Sequence, residues 1–568
     1  MRKQTLYLLS GLFSALSLFG NNDQKVNAYY QIKDYSSALS LLNKNESPQL
    51  TFKLELLSKL GMTQEALRYI REIPEIFDVQ KQGNFLTLES LAWSILLKHV
   101  EQSETTTGFA LLGAYMTRDA KAAELLLHHL YSSNSRLRAQ AANFAAHYQD
   151  TVLKEAVVAR FKVEKNYEVQ MQLIESMGKM HIKEALPLLD EVFNQPKLSD
   201  EMRGQALLAY SEILEALSGQ GISYFFGHQR AYFKQLACRL SLSLETISPE
   251  VINEVEKLVV DPQPEVQKEA LVTIGILSFE QKNHPSILEK LESLKAHPNP
   301  MIALLSCWTK ARLTGKIDPL FEQFLDSSQS KIRYHTVSLL GALGPFAEQA
   351  LKKALHHEDA YVRVNAALGL LKIRKHVKLA IEVLEESLND KKLFMMMDNS
   401  LHPNFSVIIP SLIRHHPFIP AYPKVVDSMV RLKILEAMMI FKPELVKPHL
   451  RELLQEKDAM VTFYTIAFQL QEDLESFEFL KDLQNDEDPK VALSATLAIA
   501  FVGKENDVVA RLIKLFPEVG FEDKIHILEA IGHLGERSAI PFLVETMQRP
   551  FTLMQIVAAS SLIQCLYH

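Results

Sequence analysis

A chain of 568 residues is too long for one ordinary compact core, so several domains or a repeat array are expected. Hydrophobic residues make up 47% and charged residues 23%, with 20 Gly and 23 Pro, which excludes disordered, collagenous and low-complexity classes. The formal net charge of −7 disfavours a general nucleic-acid binder, which needs clustered Lys and Arg.

The chain opens MRKQTLYLLSGLFSALSLFGNND, with Arg2 and Lys3, an uncharged run from Gln4 to Gly20, and then polar residues. That order matches a secretory signal over residues 1–20 and predicts export to a periplasm or cell envelope. The alternatives are a buried apolar first helix or an uncleaved anchor, in a protein that otherwise stays cytoplasmic. No second hydrophobic run approaches spanning length, so no integral membrane domain is expected beyond such an anchor.

Residues 25–117 read as helical hairpins. KDYSSALSLL (Lys33–Leu42) and LGMTQEALRYI (Leu60–Ile70) each put a turn residue before an Ala-Leu pair, with 28 residues from Ala38 to Ala66. They resemble tetratricopeptide hairpins with an incomplete aromatic signature. A plain αα-hairpin lead-in is the other reading. Further amphipathic helices over 84–130 break at the polar run Ser103–Thr107, and Asp119 is placed to cap the next helix at a boundary near 117–118.

From residue 118 to 568 the sequence repeats. In EDAYVRVNAALGLL (Glu358–Leu371), Asp359 is a helix cap, and Val362, Ala366, Leu370 and Ile373 share one face. The same template places apolar anchors at Leu137, Val169, Met202, Phe233, Val266, Ile302, Ile332, Val362, Leu393, Val430, Val461, Val491, His526 and Met554. The span from Leu137 to Met554 is 417 residues in thirteen steps, about 32 each. Capping residues stand three before the anchor at Asn134, Asn166, Ser199, Asn299, Asp359, Asp390, Asp427, Asp458, Asp488 and Asp523. Small residues such as Ala141, Ala206, Ala270, Ala366 and Ala558 follow four after it, where a larger side chain would overpack. A hairpin of this length cannot bury its own apolar face, so the units must stack. The fold class expected is all-α, an α-solenoid of about fourteen units.

EDAYVRVNAALGLL, NSRLRAQAANFAA, DSMVRLKILEAMM and SDEMRGQALLAY resemble HEAT repeats, closest to the short bacterial type of phycobilisome-lyase-like proteins. The period is shorter than the about 40–47 residues usual for HEAT arrays. The resemblance implies that the motif helix lines the concave face. It also implies that the basic residue after the anchor (Arg138, Arg203, Lys234, Arg333, Arg363 and Arg431) forms a structural ladder, each pairing with an acid of the adjacent unit.

Between Leu393 and Val430 the spacing stretches to 37, around HPNFSVIIPSLIRHHPFIPAYP (402–423), an irregular insert with five prolines. Phe405, Phe418 and Tyr422 are the partner-binding candidates there, since prolines and aromatics protruding from a solenoid suit protein recognition. A degenerate repeat patched by apolar packing is the alternative. In SGQGISYFFGHQRAYF (Ser218–Phe233) burial is the expected role of the rings.

Residues with catalytic signatures are missing: the chain has no HExxH, Walker A, GxGxxG after a strand or GxSxG. Iron-binding HEAT hydroxylases repeat His-Glu pairs, and His357-Glu358 is the only such pair here. HEAT-like DNA glycosylases need a basic face that an acidic chain does not favour. The pairs His128-His129, His356-His357 and His415-His416 read as surface or capping residues, because helix neighbours point about 100° apart. Asp398, His402, His415 and His416 fit no known ligand spacing. The three cysteines, Cys238, Cys307 and Cys565, form neither a disulfide framework nor a CxxC metal site.

The sequence therefore points to a non-catalytic scaffold or adaptor for a protein or peptide partner, needing no cofactor or metal and binding no nucleic acid. The rival reading is an enzyme or enzyme accessory of the bilin-lyase-like type, with the concave groove as a ligand pocket.

Overall fold

The computed structural model describes residues 22–567 apart from 45–49, 101, 216–221, 228, 243, 245–246, 278–284, 403, 412–421, 456–479 and 503–506. The chain forms two compact units. Unit 1 joins the N-terminal part through Tyr210 to the residues from Ile499 onward, and unit 2 is Ser211–Ala498. Short helices Asn22–Gln31, Tyr35–Lys44, Leu50–Lys59 and Thr63–Tyr69 lead in, burying Ala38, Leu42, Ala66 and Leu67. Numbered along the chain from there, the helices that follow include α1 (Gln82–His99), α2 (Glu104–Thr117), α3 (Ser135–Ala145), α4 (Tyr167–Lys179), α5 (Asp200–Glu215), α6 (Ala231–Ser241), α7 (Pro264–Leu277), α8 (Pro300–Thr314), α9 (Ser330–Leu343), α10 (Ala360–Lys372) and α11 (Val377–Asn389). After strands β1 (Met395–His402) and β2 (Phe405–Pro410) come α12 (Tyr422–Met439), α13 (Pro443–Gln455), α14 (Pro489–Val502), α15 (Phe521–Leu534) and α16 (Thr552–Tyr567). The fold is an all-α solenoid, into which one two-stranded hairpin is inserted among the described residues.

Local chemistry starts the motif helices where the template places them. Asn134, Asn166, Ser199, Asn299, Asp359 and Asp488 each accept a hydrogen bond, at 2.9–3.2 Å, from a backbone N–H two or three residues on. The anchors Leu137, Val169, Met202, Phe233, Val266, Ile302, Ile332, Val362, Val430, Val491 and Met554 are all buried. Phe225 and Phe233 stack at 5.6 Å inside the core, as the aromatic cluster near residue 225 suggested.

Five template positions differ. Asp390 ends α11 instead of starting a helix, and its carboxylate takes the Lys392 N–H. Leu393 leads into β1, because Asp398-Asn399-Ser400 breaks a helix and Val407-Ile408-Ile409 favours a strand. The irregularity therefore begins before residue 402. Asp427 lies within α12 and binds β1 rather than a helix end. Asp523 is the third residue of α15, which starts after Gly520. There Ile527 takes the core position, while the half-buried His526 pairs with Glu529 at 3.2 Å, a contact that raises the imidazole pKa. Asp458 and Val461 lie outside the described residues.

Neighbouring motif helices are also stitched by hydroxyls. Seven residues after the anchor, Ser176 donates to Ala142 O at 2.7 Å, Thr309 to Leu271 O at 2.9 Å and Ser561 to Leu528 O at 2.7 Å. All three are fully buried, so the carbonyl of the next helix satisfies a group that would otherwise be costly to desolvate. Gly369 stands at the same position in α10, where its Cβ would lie 3.3 Å from the Gly341 Cα of α9. Either a small hydroxyl or no side chain is what this close approach tolerates.

In unit 1 the same stitching joins the two ends of the described chain. α16 packs against α15 on one side and against α1 and α2 on the other. Ser560 donates to Gly113 O at 2.8 Å, and Gln564 Nε2 to Met116 O at 2.7 Å. Phe85 meets Tyr567 edge-on at 5.3 Å. A Cβ on Gly113 would fall 2.7 Å from the Ile556 side chain. The sequence TLMQIVAASSLIQCLY is apolar nearly all round, the pattern of a helix covered on both sides rather than of a polar-faced terminal cap.

Candidate functional site

The inserted hairpin lies on four successive motif helices of unit 2. β1 and β2 pair antiparallel, from Met395 opposite Pro410 to His402 opposite Phe405. The apolar side chains of Met395, Phe405, Val407 and Ile408 are buried. Phe405 packs edge-on to Trp308 of α8 at 5.1 Å, and Gly275 of α7 leaves room for that indole, since a Cβ there would lie 2.2 Å from the ring.

The helices hold the main chain of the hairpin as well as its side chains. Asn365 of α10 donates to Ile408 O at 2.7 Å and accepts from Ile408 N at 2.9 Å. Two residues earlier, Ser406 O accepts from Ser338 of α9 at 3.2 Å. Successive outward-facing backbone groups of β2 thus meet successive helices, as they would meet a third strand. Tyr361 donates to Phe394 O at 2.8 Å, and Asp427 of α12 accepts from Met395 N at 2.7 Å.

Two buried imidazoles sit under the hairpin. Nε2 of His402 is 3.2 Å from Glu269 of α7, which also takes a bidentate contact from Arg239 of α6. Burial acts to raise the Glu269 carboxyl, but the close contact with His402 and the bonds from Arg239 hold it below the ordinary range. His335 of α9 is fully enclosed, and neither ring nitrogen has a hydrogen-bond partner among the described residues. Its Nε2 is 3.7 Å from Asp398 of β1. Burial pushes its pKa down to about 4, against the pull of Asp398.

Beside the base of the hairpin is a cleft of about 220 Å³ between the end of α11, α12 and α13. Leu388, Phe394, Leu435 and Leu453 supply apolar wall, and Lys391, Lys424 and His449 supply basic edge. Arg431 closes one side. It pairs with Asp427 at 2.6 Å and donates to Leu388 O at 2.6 Å and Leu393 O at 3.0 Å, so its donors are committed to the fold.

Of the residues singled out in the sequence, Phe405 is a core residue, only 7% exposed, not a protruding ring. Alternation within FSVII explains the difference, because Phe405 and Val407 face the helices while Ser406 faces out. Phe418 and the Tyr422 side chain lie outside the described residues. The basic ladder takes three forms. Arg138, Lys234 and Arg333 pair with Glu164, Asp261 and Asp359 further along the chain, at 2.8, 2.6 and 2.6 Å. Arg203 and Arg363 donate to the preceding carbonyls of Phe193, His357 and Glu358. Arg431 pairs within its own helix.

Glu164 is the most heavily bonded of these partners. It accepts from Arg138, Arg160 and the N–H groups of Lys165 and Asn166, with its side chain 2% exposed. Burial raises its pKa, but these bonds hold it at about 2. The Glu164→Ala variant leaves two arginines facing a gap, and unit 1 is expected to lose about 3–5 kcal/mol in urea unfolding. The wild-type contribution is present above the ordinary carboxyl value of 4.5 and lost as pH falls through about 2.

Cys238, Cys307 and Cys565 are free and buried, and burial pushes the last two up to about 12, so they stay protonated thiols at neutral pH. His129 bonds Leu125 O at 2.9 Å, and His357 accepts from Asp359 N at 2.9 Å, both helix-end roles. Asp398 and His402 face different partners, and His415 and His416 lie outside the described residues. Among the described residues no three of His, Cys, Asp and Glu gather as metal ligands, and no helix is long and apolar enough to cross a membrane.

Residues 317–394 match the family model of HEAT repeats. No curated protein matches the sequence. Solved structures similar to this chain include the complex of CpcE and CpcF of phycocyanin lyase from Nostoc sp. PCC7120, at 18% identity, 46% of this chain, 92% of that one and a TM-score of 0.22. Importin beta aligns at 11% identity over 92% of this chain and 80% of its own, with a TM-score of 0.34. The UNC-45 chaperone aligns at 13% identity over 98% and 83%, with a TM-score of 0.32.

Proposed function

We propose that this HEAT-repeat chain is a non-catalytic scaffold or adaptor that binds protein or peptide segments along its repeat surface. One observation carries the reading. Adjacent motif helices of unit 2 hold an extended stretch of chain by its backbone, through Asn365 at Ile408 and Ser338 at Ser406. Side chains placed that way recognise a strand largely irrespective of its sequence. A stacked array extends such a surface, over which many modest contacts add up.

Export belongs to the proposal and rests on residues 1–20. N-terminal sequencing of the mature protein tests it, with a new terminus near residue 21 expected and an intact Met1 counting against it. The scaffold role is tested by affinity capture of the full chain from its own cells, with mass spectrometry and absorption spectroscopy of what is retained. A protein retained in fixed ratio is expected. A bound chromophore or metal with no protein companion would overturn the scaffold in favour of the lyase-type reading.

A further inference from the structure

We propose that the cleft between α11, α12 and α13 takes the free C-terminal carboxylate of a partner polypeptide that ends in a large apolar residue. The proposal rests on the scaffold reading and names the feature of the partner that would be gripped. Size speaks first. At about 220 Å³ the cleft is below the roughly 300–1,000 Å³ of sites for cofactors and drug-sized ligands, and suits one or two residues of a chain.

Charge speaks second. Both acids in the lining already have cations: Asp427 has Arg431 at 2.6 Å, and Glu452 has Lys391 at 3.3 Å. Arg431 is held by backbone carbonyls as well and cannot turn to a ligand without opening the end of α11. Lys424 has no hydrogen-bond or ion-pair partner among the described residues, so the lining, with Lys391, Lys424 and Arg431 against Asp427 and Glu452, carries one surplus positive charge in a chain whose net charge is −7. Phe394 stands 48% exposed at the cleft, beside Leu388, Leu435 and Leu453. An anion flanked by an apolar group satisfies both halves of that lining, and in a space of one or two residues a C-terminal residue with a large apolar side chain supplies both at once.

The test uses the full chain and four labelled peptides in fluorescence polarisation. Gly-Ser-Gly-Ser-Leu-Phe is presented as the free acid and as the amide, and amidated Gly-Ser-Leu-Asp-Gly-Ser is compared with its Asn counterpart. The free acid should bind more tightly than its amide and more tightly than the Asp peptide, which carries the same charge within a chain. Lys424→Glu should weaken that binding about tenfold. Lys514→Glu, an exposed site in unit 1, should leave it unchanged. Because Lys424 is exposed, the melting temperature of its variant should equal the wild type. Equal binding of the free acid and its amide, tighter binding of the Asp peptide than of the free acid, or full binding by the Lys424→Glu variant, overturns the cleft assignment. Either result leaves the scaffold reading to be judged by capture alone.

Discussion

Removing residues 552–568, and with them α16, is expected to abolish the cooperative unfolding of unit 1 rather than to fray one end of it. In an open array the last unit contributes one interface, and its loss costs roughly that interface. α16 contributes two, against α15 and against α1 and α2. It buries Met554, Ile556, Val557, Leu562, Ile563 and Leu566. At about 1.5–3 kcal/mol each these amount to roughly 9–18 kcal/mol as an upper bound, comparable with the whole net stability of a domain. The truncated chain should bind a hydrophobic dye, elute as oligomers and lose the first or second of two thermal transitions. Ser560→Ala provides the graded comparison. It removes only the bond to Gly113 O and should cost about 1 kcal/mol. A truncated chain with an unchanged melting profile would mean that the contact between the two ends contributes nothing in solution.

Legibility in the sequence followed the range of each interaction. Asp359, Val362 and Ala366 could be read because a cap, a core anchor and a close approach each set a local demand on residue type. The hydroxyls of Ser176, Thr309 and Ser561 were equally visible at a fixed offset from the anchor. Only the neighbouring carbonyl, more than thirty residues away, shows that they are donors rather than merely small. The hairpin was hidden by mimicry, since Asp390 and Leu393 satisfy the cap-and-anchor template and yet lead into β1. FSVII after the pair Pro403-Asn404 was the signal for a strand. The cleft and the pairing of α2 with α16 join residues that no period relates. Gly113 was unremarkable until Ile556 was found against it.

Acid should loosen the hairpin from the motif helices of unit 2, and His335 is the group through which that happens first. The ring is enclosed by α9 and the hairpin, both nitrogens lack partners among the described residues, and the charges facing it are Asp398 from β1, Lys331 from its own helix and Lys268 from α7. Two cations and lost hydration outweigh one carboxylate, so the docked state resists protonation down to about 4, while an undocked imidazole takes its proton near 6.5. The docked state is therefore at full strength above pH 6.5 and weakens as pH falls towards 4, by about 3 kcal/mol at roughly 1.4 kcal/mol per pH step. Asp398 and Glu269, both held below the ordinary carboxyl range, add their own losses only as pH falls below 3.8 and 4.5 respectively, so between pH 7 and 4.5 the imidazole acts without them. Hydrogen exchange of the amides of Met395–Pro410 should speed up between pH 7 and 4.5 beyond the intrinsic chemical trend. His335→Leu, which cannot charge, should remove the excess while keeping the hairpin docked at neutral pH. If the wild type and the leucine variant show the same exchange profile across that range, the imidazole is not the group that acid acts on, and burial alone does not make it a latch.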